Sequence, residues 1–499
     1  MSQPLRSPLH RVRRAAQALP TLTVFVVALA SSLVLTLAGC ASTEGVAPPA
    51  AKSLPPAALG VSETATAPVA ADWWQGFGDT TLSGLVERAL AGNPSLKAAQ
   101  ARLARSQAAV DSAHAAQGLQ VNGSLDLTRQ RYTANGAVPP PLAGSYRSSG
   151  TLQAAASWEI DFFGRNRAAL DAAVGSQRAA EADAQAARVL LASNVARSYV
   201  QLARLVEQRE VAQRALAQRD EILSLIRQRV QAGLDTNVEL RQGEGALPET
   251  RAQLEALDEQ ITLTRHALAA LTAQGPQALD TLTPRLVTVQ AVPLPANVPA
   301  DLLGRRADIS AARWRVEAAT SDVASARAQF YPNVNLTAFV GLSSIPIDRL
   351  FRSGSEQYGV GPAIRLPIFD SGRLRANLRG KSADLDAAVE TYNATVIDAV
   401  RDVADQISSL QSIARQQAEQ GQAQASAESA YDVATQRYKA GLGTYLVVLN
   451  AEANVLNQRR AAADLKARAL DTQVALIRSL GGGYVANAAT DTTHTAAVR

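Results

Sequence analysis

The sequence predicts an α+β fold written twice, and three observations carry that prediction. Two stretches in each half alternate strictly between apolar and polar residues, the period of a strand with two different faces. Two other stretches, 166–232 and 374–440, each run 67 residues without a proline, which suits helices far longer than a globular core needs. The third is repetition at a fixed spacing. Arg229-Val-Gln-Ala-Gly-Leu234 returns as Arg437-Tyr-Lys-Ala-Gly-Leu442, and Gly164-Arg165 returns as Gly372-Arg373, both 208 residues on. Leu96-Lys-Ala-Ala-Gln-Ala-Arg-Leu103 aligns with Ile309-Ser-Ala-Ala-Arg-Trp-Arg-Val316 at 213.

The chain opens with Arg6, Arg11, Arg13 and Arg14 ahead of an apolar run from Leu22 to Leu37, too short for a permanent spanning helix. Residues 1–39 therefore read as a signal peptide. Leu37-Ala38-Gly39-Cys40 matches the bacterial lipobox and holds the only cysteine of 499 residues. The match implies that Cys40 is diacylated and becomes the N-acylated mature terminus, an anchor of two or three chains. Ala41 follows where inner-membrane lipoproteins typically carry Asp, which points to the outer membrane. Loss of residues 1–39 removes four arginines from a net charge of +5 and leaves 5 − 4 = +1. No basic blocks interleave with aromatics, which argues against a nucleic-acid partner. With one cysteine no intrachain disulfide forms, and apolar content of 47% with only 4% aromatics reflects Ala, Leu and Val, the residues of long helices.

Residues 40–71, rich in Ala, Pro, Ser and Thr, read as a tether. The first repeat covers 72–275. In it, strands are expected at about 119–130, with Leu119, Val121, Leu125 and Leu127 on one face, and at about 148–162, with Leu152, Ala154, Ala156, Trp158, Ile160 and Phe162 on one face. Helices are expected at about 166–232 and 236–273. A proline-rich linker, 276–297, leads to the second repeat, 298–482. There Val334, Leu336, Ala338, Val340 and Leu342 mark a strand at about 334–343, and Tyr358, Val360, Ile364, Leu366 and Ile368 another at 358–368. Helices follow at about 374–440 and 444–480, then a flexible tail, 483–499. Each long helix ends at Ala-Gly-Leu, where glycine supplies the left-handed turn into a returning helix. The strands fit either a soluble half-buried sheet or a membrane-spanning one. Four strands cannot close a barrel, and lipid does not tolerate open edges, so spanning would require several protomers to pool strands.

Six segments in order give the chain a family resemblance. They are Trp73-Trp74-Gln75-Gly76-Phe77-Gly78-Asp79 with Leu82 and Leu85; Ala89-Leu90 with Asn93; Asp301-Leu302-Leu303-Gly304-Arg305-Arg306-Ala307-Asp308-Ile309; Leu366-Pro367-Ile368-Phe369-Asp370-Ser371-Gly372-Arg373; Arg437-Tyr438-Lys439-Ala440-Gly441-Leu442; and Leu480-Gly481-Gly482-Gly483. The chain resembles the TolC/OprM-like outer-membrane efflux factors, specifically the NodT-type lipoproteins of RND efflux systems. The resemblance implies a homotrimeric membrane protein with a 12-stranded transmembrane β-barrel, four strands per protomer, continuous with a periplasmic α-helical barrel. It implies a Gram-negative outer-membrane exit duct for drugs, solvents or other small molecules, fed by an inner-membrane RND-type transporter through a periplasmic adaptor. No catalytic residue, metal or cofactor is implied, apart from the covalent lipid on Cys40.

The same resemblance assigns sites. Ala232, Gly233, Leu234, Ala440, Gly441 and Leu442 correspond to the periplasmic tips that meet the adaptor. Leu446 and Asn450 stand where the family usually has Leu-x-x-x-Asp, whose side chains ring the closed aperture. Asn450 supplies no carboxylate, so an acidic ring is weakened there, and Asp235 and Glu239 are either replacement gate charges or solvated surface acids. Ala307 stands where the family has proline, which loosens a helix start. Gly243, Gly245 and Pro248 predict a kink in the first returning helix, an asymmetry that an iris-like opening would exploit.

Other readings have less support. His10, His114, His266 and His494 lack ligand spacing, and no nucleophile triad or phosphate loop occurs. A periplasmic coiled-coil lipoprotein would explain the helices but not the paired strands. A type I protein-secretion duct would keep the fold and change the cargo.

Overall fold

The computed structural model describes residues 42–55, 69–291 and 302–484. The signal peptide, Cys40 and most of the tail lie outside them. The described elements are α1 (Thr80–Gly92), α2 (Pro94–Ala115), β1 (Gln120–Arg131), β2 (Tyr146–Ile160), α3 (Arg165–Gln231), α4 (Asn237–Leu271), α5 (Ala307–Ala328), β3 (Asn333–Ser344), β4 (Glu356–Arg365), α6 (Arg373–Lys439) and α7 (Tyr445–Ser479). The fold is mostly helical with one small antiparallel sheet. Both α3 and α6 are 67 residues long, on the order of 100 Å at 1.5 Å per residue. Both α4 and α7 have 35.

The chain divides into two compact units, the first made of Ala108–Gly175, Glu317–Ala387 and the chain up to Ala51. Its centre is the sheet, in the order β1-β2-β3-β4. Each repeat contributes one hairpin, and β2 against β3 joins the copies. The registers put the apolar residues of all four strands on one face. Val121 lies opposite Ala156, Ala156 opposite Ala338, and Ala338 opposite Val360; Trp158 pairs with Leu336, and Val334 with Ile364. On the other face Gln120, Ser157 and Thr337 form one row and Ser124 and Gln153 belong to another. The apolar exceptions on that face are Ala155, Ala363 and Phe339, the last next to Gly359, where an ideal Cβ would stand 2.7 Å from the ring. Below the sheet Val323, Ala326 and Phe330 pack on Leu374 and Leu378, with Val46 against them.

The second unit contains Lys52–Gln107, Ser176–Val316 and the chain from Ala388 on. Asp79 caps α1 by accepting from the backbone N–H groups of Thr81 (2.9 Å) and Leu82 (3.0 Å). Its other oxygen accepts from Tyr199 Oη and Thr288 Oγ1, each at 2.9 Å, so one carboxylate joins three distant segments. Trp73, Trp74 and Phe77 pack with Leu82, Leu85, Val86 and Ala89, the apolar stripe of α1, against Tyr199 and Leu202 of α3. Three successive glycines at the end of α7 have positive φ. A Cβ on Gly481 would stand 1.9 Å from Arg305 O, on Gly482 2.3 Å from Val189 Cγ1, and on Gly483 2.4 Å from Ala70 O.

Two sequence expectations change here. The described part of the expected tether is held on α6. In the first unit the N–H groups of Ala50 and Ala51 donate to Asp386 Oδ1 at 2.8 and 2.9 Å; in the second, Leu54 N–H donates to Asn393 Oδ1 and Asn393 Nδ2 donates to Lys52 O. Up to residue 291 the expected linker is packed as well, since Leu279, Leu286 and Val289 join the core of the second unit and Gln290 N–H donates to Phe77 O. The returning helix α4 continues through Gly243, Gly245 and Pro248, so any kink there is a bend and not a break. Gly243 is a site of close helix packing, because a Cβ there would lie 3.0 Å from Ile226 and 3.1 Å from Leu223. Meanwhile α5 starts at Ala307 without a proline, next to the Arg306–Asp308 ion pair at 2.7 Å.

Candidate functional site at the hairpin turns

Both long helices end in the same turn for the same backbone reason. Leu234 N–H donates to Arg229 O at 2.8 Å and Gly233 N–H to Val230 O at 3.0 Å; Leu442 repeats the bond to Arg437 O at 2.8 Å and Gly441 that to Tyr438 O at 3.0 Å. This is the Schellman closure of a helix, and it needs the left-handed conformation. Gly233 has φ +73° and Gly441 +75°. Ala232, Leu234, Ala440 and Leu442 are exposed around these glycines.

The two turns belong to different repeats and yet are tied together. Arg229 Nε and Nη2 donate to Asp235 at 2.9 and 3.3 Å, Tyr438 Oη donates to Asp235 Oδ2 at 2.5 Å, and Arg229 Nη1 donates to Tyr438 O at 3.3 Å. The guanidinium carbon lies 4.7 Å from the centre of the Tyr438 ring. The side chains of Arg229 and Asp235 are only 13% and 10% exposed. Burial alone would raise the Asp235 carboxyl, but its bonds to Arg229 and Tyr438 outweigh burial and hold it below the usual carboxylate range. Burial first, then the Asp235 bond, pushes the Tyr438 phenol up. Behind this tie Ile222, Ile226, Ala434, Tyr438, Tyr445 and Val448 form a separate apolar cluster.

Asp235 is thus neither a solvated surface acid nor an unpaired charge within the protomer. Glu239 acts within its own helix start, where Thr236 caps α4, Thr236 N–H donates to Glu239 Oε2 at 2.9 Å, and the Thr236 hydroxyl bonds the same oxygen. That bond holds the Glu239 carboxyl low. Leu446 and Asn450 sit one turn apart on α7, both exposed, away from buried Tyr445 and Val448. Arg229 and Tyr438 were missing from the sequence-derived site, although both belong to the repeated motif. Among the described residues no cluster of metal-ligating side chains occurs, and no helix is long and apolar enough to cross a membrane.

The sequence profile of the family described as Outer membrane efflux protein matches residues 85–274 and 298–482, one match in each repeat. The chain belongs to that family. It is 33% identical over 420 residues to the multidrug resistance outer membrane protein MdtQ of Escherichia coli O157:H7, covering 83% of this chain and 88% of MdtQ. Its fold is similar to that of the outer membrane protein VceC of Vibrio cholerae, with a TM-score of 0.78, 38% identity, and coverage of 83% of this chain and 99% of VceC. The outer-membrane channel OprN gives a TM-score of 0.78 at 29% identity over 89% of this chain and 99% of OprN. The protein is therefore an outer-membrane efflux channel of Gram-negative type and not an enzyme.

Proposed function

We propose that three copies of this chain pool their four strands into a twelve-stranded barrel and join their helices into a periplasmic conduit. The assembly acts as the exit duct of a tripartite pump. It takes drugs, solvents or other small molecules from an inner-membrane RND-type transporter through a periplasmic adaptor. The observation that carries this reading is the sheet. Its strands are 12, 15, 12 and 10 residues long, near the length that crosses a bilayer. One face is largely apolar, with Val121, Leu125, Val340, Val360 and Ile364 exposed on it and Arg129, Arg131 and Glu356 confined to its far end. Edges β1 and β4 have no partner strand among the described residues. Lipid covers such a face, and neighbouring copies close such edges. Exposed Tyr146 and Tyr358 near one end and Trp158, Phe162 and Phe369 near the other suit the two interfaces.

The lipid on Cys40 fits the same geometry. Val46 is packed below the sheet, and Cys40 is 46 − 40 = 6 residues before it, a reach of about 20 Å at full extension. In this reading the six turn residues meet the adaptor, Leu446 and Asn450 line the aperture, and Asp235 fastens one turn to the other. Detergent extraction of outer membranes tests it: a heat-modifiable trimer that conducts ions in planar bilayers is expected. A protein that becomes water-soluble once its lipid is removed would overturn it.

A further inference from the structure

Three of the long helices bond at one buried ion pair, and the fourth brings Tyr431 within its electrostatic reach. Arg219 of α3, ten residues before Arg229, donates from Nε to Glu452 Oε2 of α7 at 3.0 Å. From Nη1 it donates to Thr250 Oγ1 and Ala246 O of α4 at 2.7 and 3.2 Å. The Thr250 hydroxyl in turn donates to Ala246 O at 2.7 Å, and Pro248 lies between these two residues. The side chains of Arg219 and Glu452 are 13% and 5% exposed. Glu452 Oε1 is buried and receives no hydrogen bond among the described residues. A buried carboxylate oxygen without a protein donor is costly to ionise, whereas the bonded oxygen keeps its place on Arg219.

The charges facing the pair are few. From α6, Tyr431 is raised by burial first and then by the negative charge of Glu452, and Tyr445 of α7 in the same way. Arg460 of α7 donates to Gln253 Oε1 at 2.5 Å and is lowered by burial and then by Arg219. Asp464 is bound to Arg204 at 2.9 Å. Among the described residues Arg219 is thus the cation bonded to Glu452. Burial pushes the Glu452 carboxyl up by more than Arg219 brings it down. The aligned positions of the other copy do not repeat the arrangement. At the spacing of 208, Glu452 corresponds to Glu244, which pairs locally with Arg241, and Arg219 corresponds to Ala427.

We propose that Glu452 is a proton-operated lock in the helical wall. With the proton on, the four helices stay packed. With it off, the ionised carboxylate favours arrangements in which α7 shifts and its unbonded oxygen reaches water. The sign follows from linkage: a carboxyl raised in the packed state binds its proton more tightly there than in any hydrated state. Acidification from above the raised value down to the ordinary carboxylate value therefore strengthens packing, and neutral pH loads the helices to part. For one proton the bias changes at most tenfold per pH unit.

The test compares the full-length wild type with Glu452→Gln, which keeps the shape and removes the charge, in detergent. Melting is followed from about pH 4.5, near the ordinary glutamate value, to about pH 8. The two proteins should melt together at the acid end, with the variant increasingly more stable towards neutral pH; Glu244→Gln should show no such trend. A constant offset, or a gap that closes as pH rises, overturns the lock. If Glu452→Gln does not fold, hydrogen exchange of wild-type α7 amides decides instead: protection, corrected for the intrinsic pH effect, must fall as pH rises. In planar bilayers the variant should open less often than wild type at neutral pH, and this readout alone rests on the channel reading. A wild type that carries no current refutes the channel, while the melting comparison still judges the lock.

Discussion

Asp235→Ala is the sharpest probe of the tie between the repeats. The carboxylate accepts from Arg229 at 2.9 and 3.3 Å and from Tyr438 at 2.5 Å, so its removal strands a guanidinium and a phenol among helices that leave Arg229 only 13% exposed. Breaking a buried ion pair by deleting one partner costs about 3–5 kcal/mol. Arg229 keeps Tyr438 O as an acceptor at 3.3 Å and lies close to the turn, which favours the low end, about 3 kcal/mol. Since about 1.4 kcal/mol is tenfold, local exchange of the amides of Leu234 and Leu442 should speed up roughly a hundredfold, with sheet amides unaffected. Tyr438→Phe removes one bond and should cost about 1 kcal/mol, non-additively with Asp235→Ala. Because Asp235 is held below its usual range, its contribution is complete above the ordinary carboxylate value and fades as pH falls through the lowered one. Turn amides that accelerate less than threefold in the alanine variant would refute the tie.

Other expectations follow from close contacts. Gly481→Ala places a Cβ about where Arg305 O now stands, at positive φ, and should abolish accumulation of the folded protein, read as loss of the heat-modifiable species. Asn393→Leu removes the bonds to Leu54 N–H (2.9 Å) and Lys52 O (3.0 Å), about 1–2 kcal/mol, and should expose residues 50–55 to limited proteolysis without loss of outer-membrane location. Asn450→Asp adds one carboxylate per protomer on an exposed face of α7 and should raise cation selectivity in single-channel recordings; an unchanged reversal potential removes Asn450 from the aperture.

Periodicity made the elements readable. An apolar face at period two shows itself in nine residues, as in Leu152 to Ile160, and a proline-free run such as 374–440 shows a helix because nothing breaks it. Gly233 and Gly441 were legible for the same local reason, since a helix end requires φ > 0 there. What local pattern hides is contact between the copies. Arg229 meets Tyr438 over 209 residues and Arg219 meets Glu452 over 233. A signal did exist, in the differences between aligned copies: Val230 corresponds to Tyr438, Asp235 to Gly443, and Arg219 to Ala427. Duplication makes the two halves alike, and in each node at least one partner breaks the likeness: Asp235 and Tyr438 in the first, Arg219 in the second. Glycine was also ambiguous. Gly243 and Pro248 look alike as helix breakers in sequence, yet the first admits Ile226 and Leu223 of a neighbouring helix and the second sits beside the Arg219 node.

The asymmetry of the turns itself makes a prediction. Both copies keep the arginine, as Arg229 and Arg437, but only the first has an acid within reach, because Gly443 stands where the first copy has Asp235. Arg437 Nη2 makes instead a 3.3 Å bond to Leu442 O and the residue is exposed. Gly443 has no positive φ, and its ideal Cβ would stand 3.5 Å from Arg437 Cβ, an ordinary contact, so an aspartate is tolerated there. Gly443→Asp therefore restores the acid of the first copy without restoring its setting. Val230 occupies the place of the tyrosine, and the pair stays in water, where it contributes about 0–1 kcal/mol. Exchange at Leu442 should slow by fivefold at most, against the hundredfold change expected from Asp235→Ala. If the engineered pair matched the native one, sequence spacing alone would account for the tie, and neither burial nor Tyr438 would have a part in it.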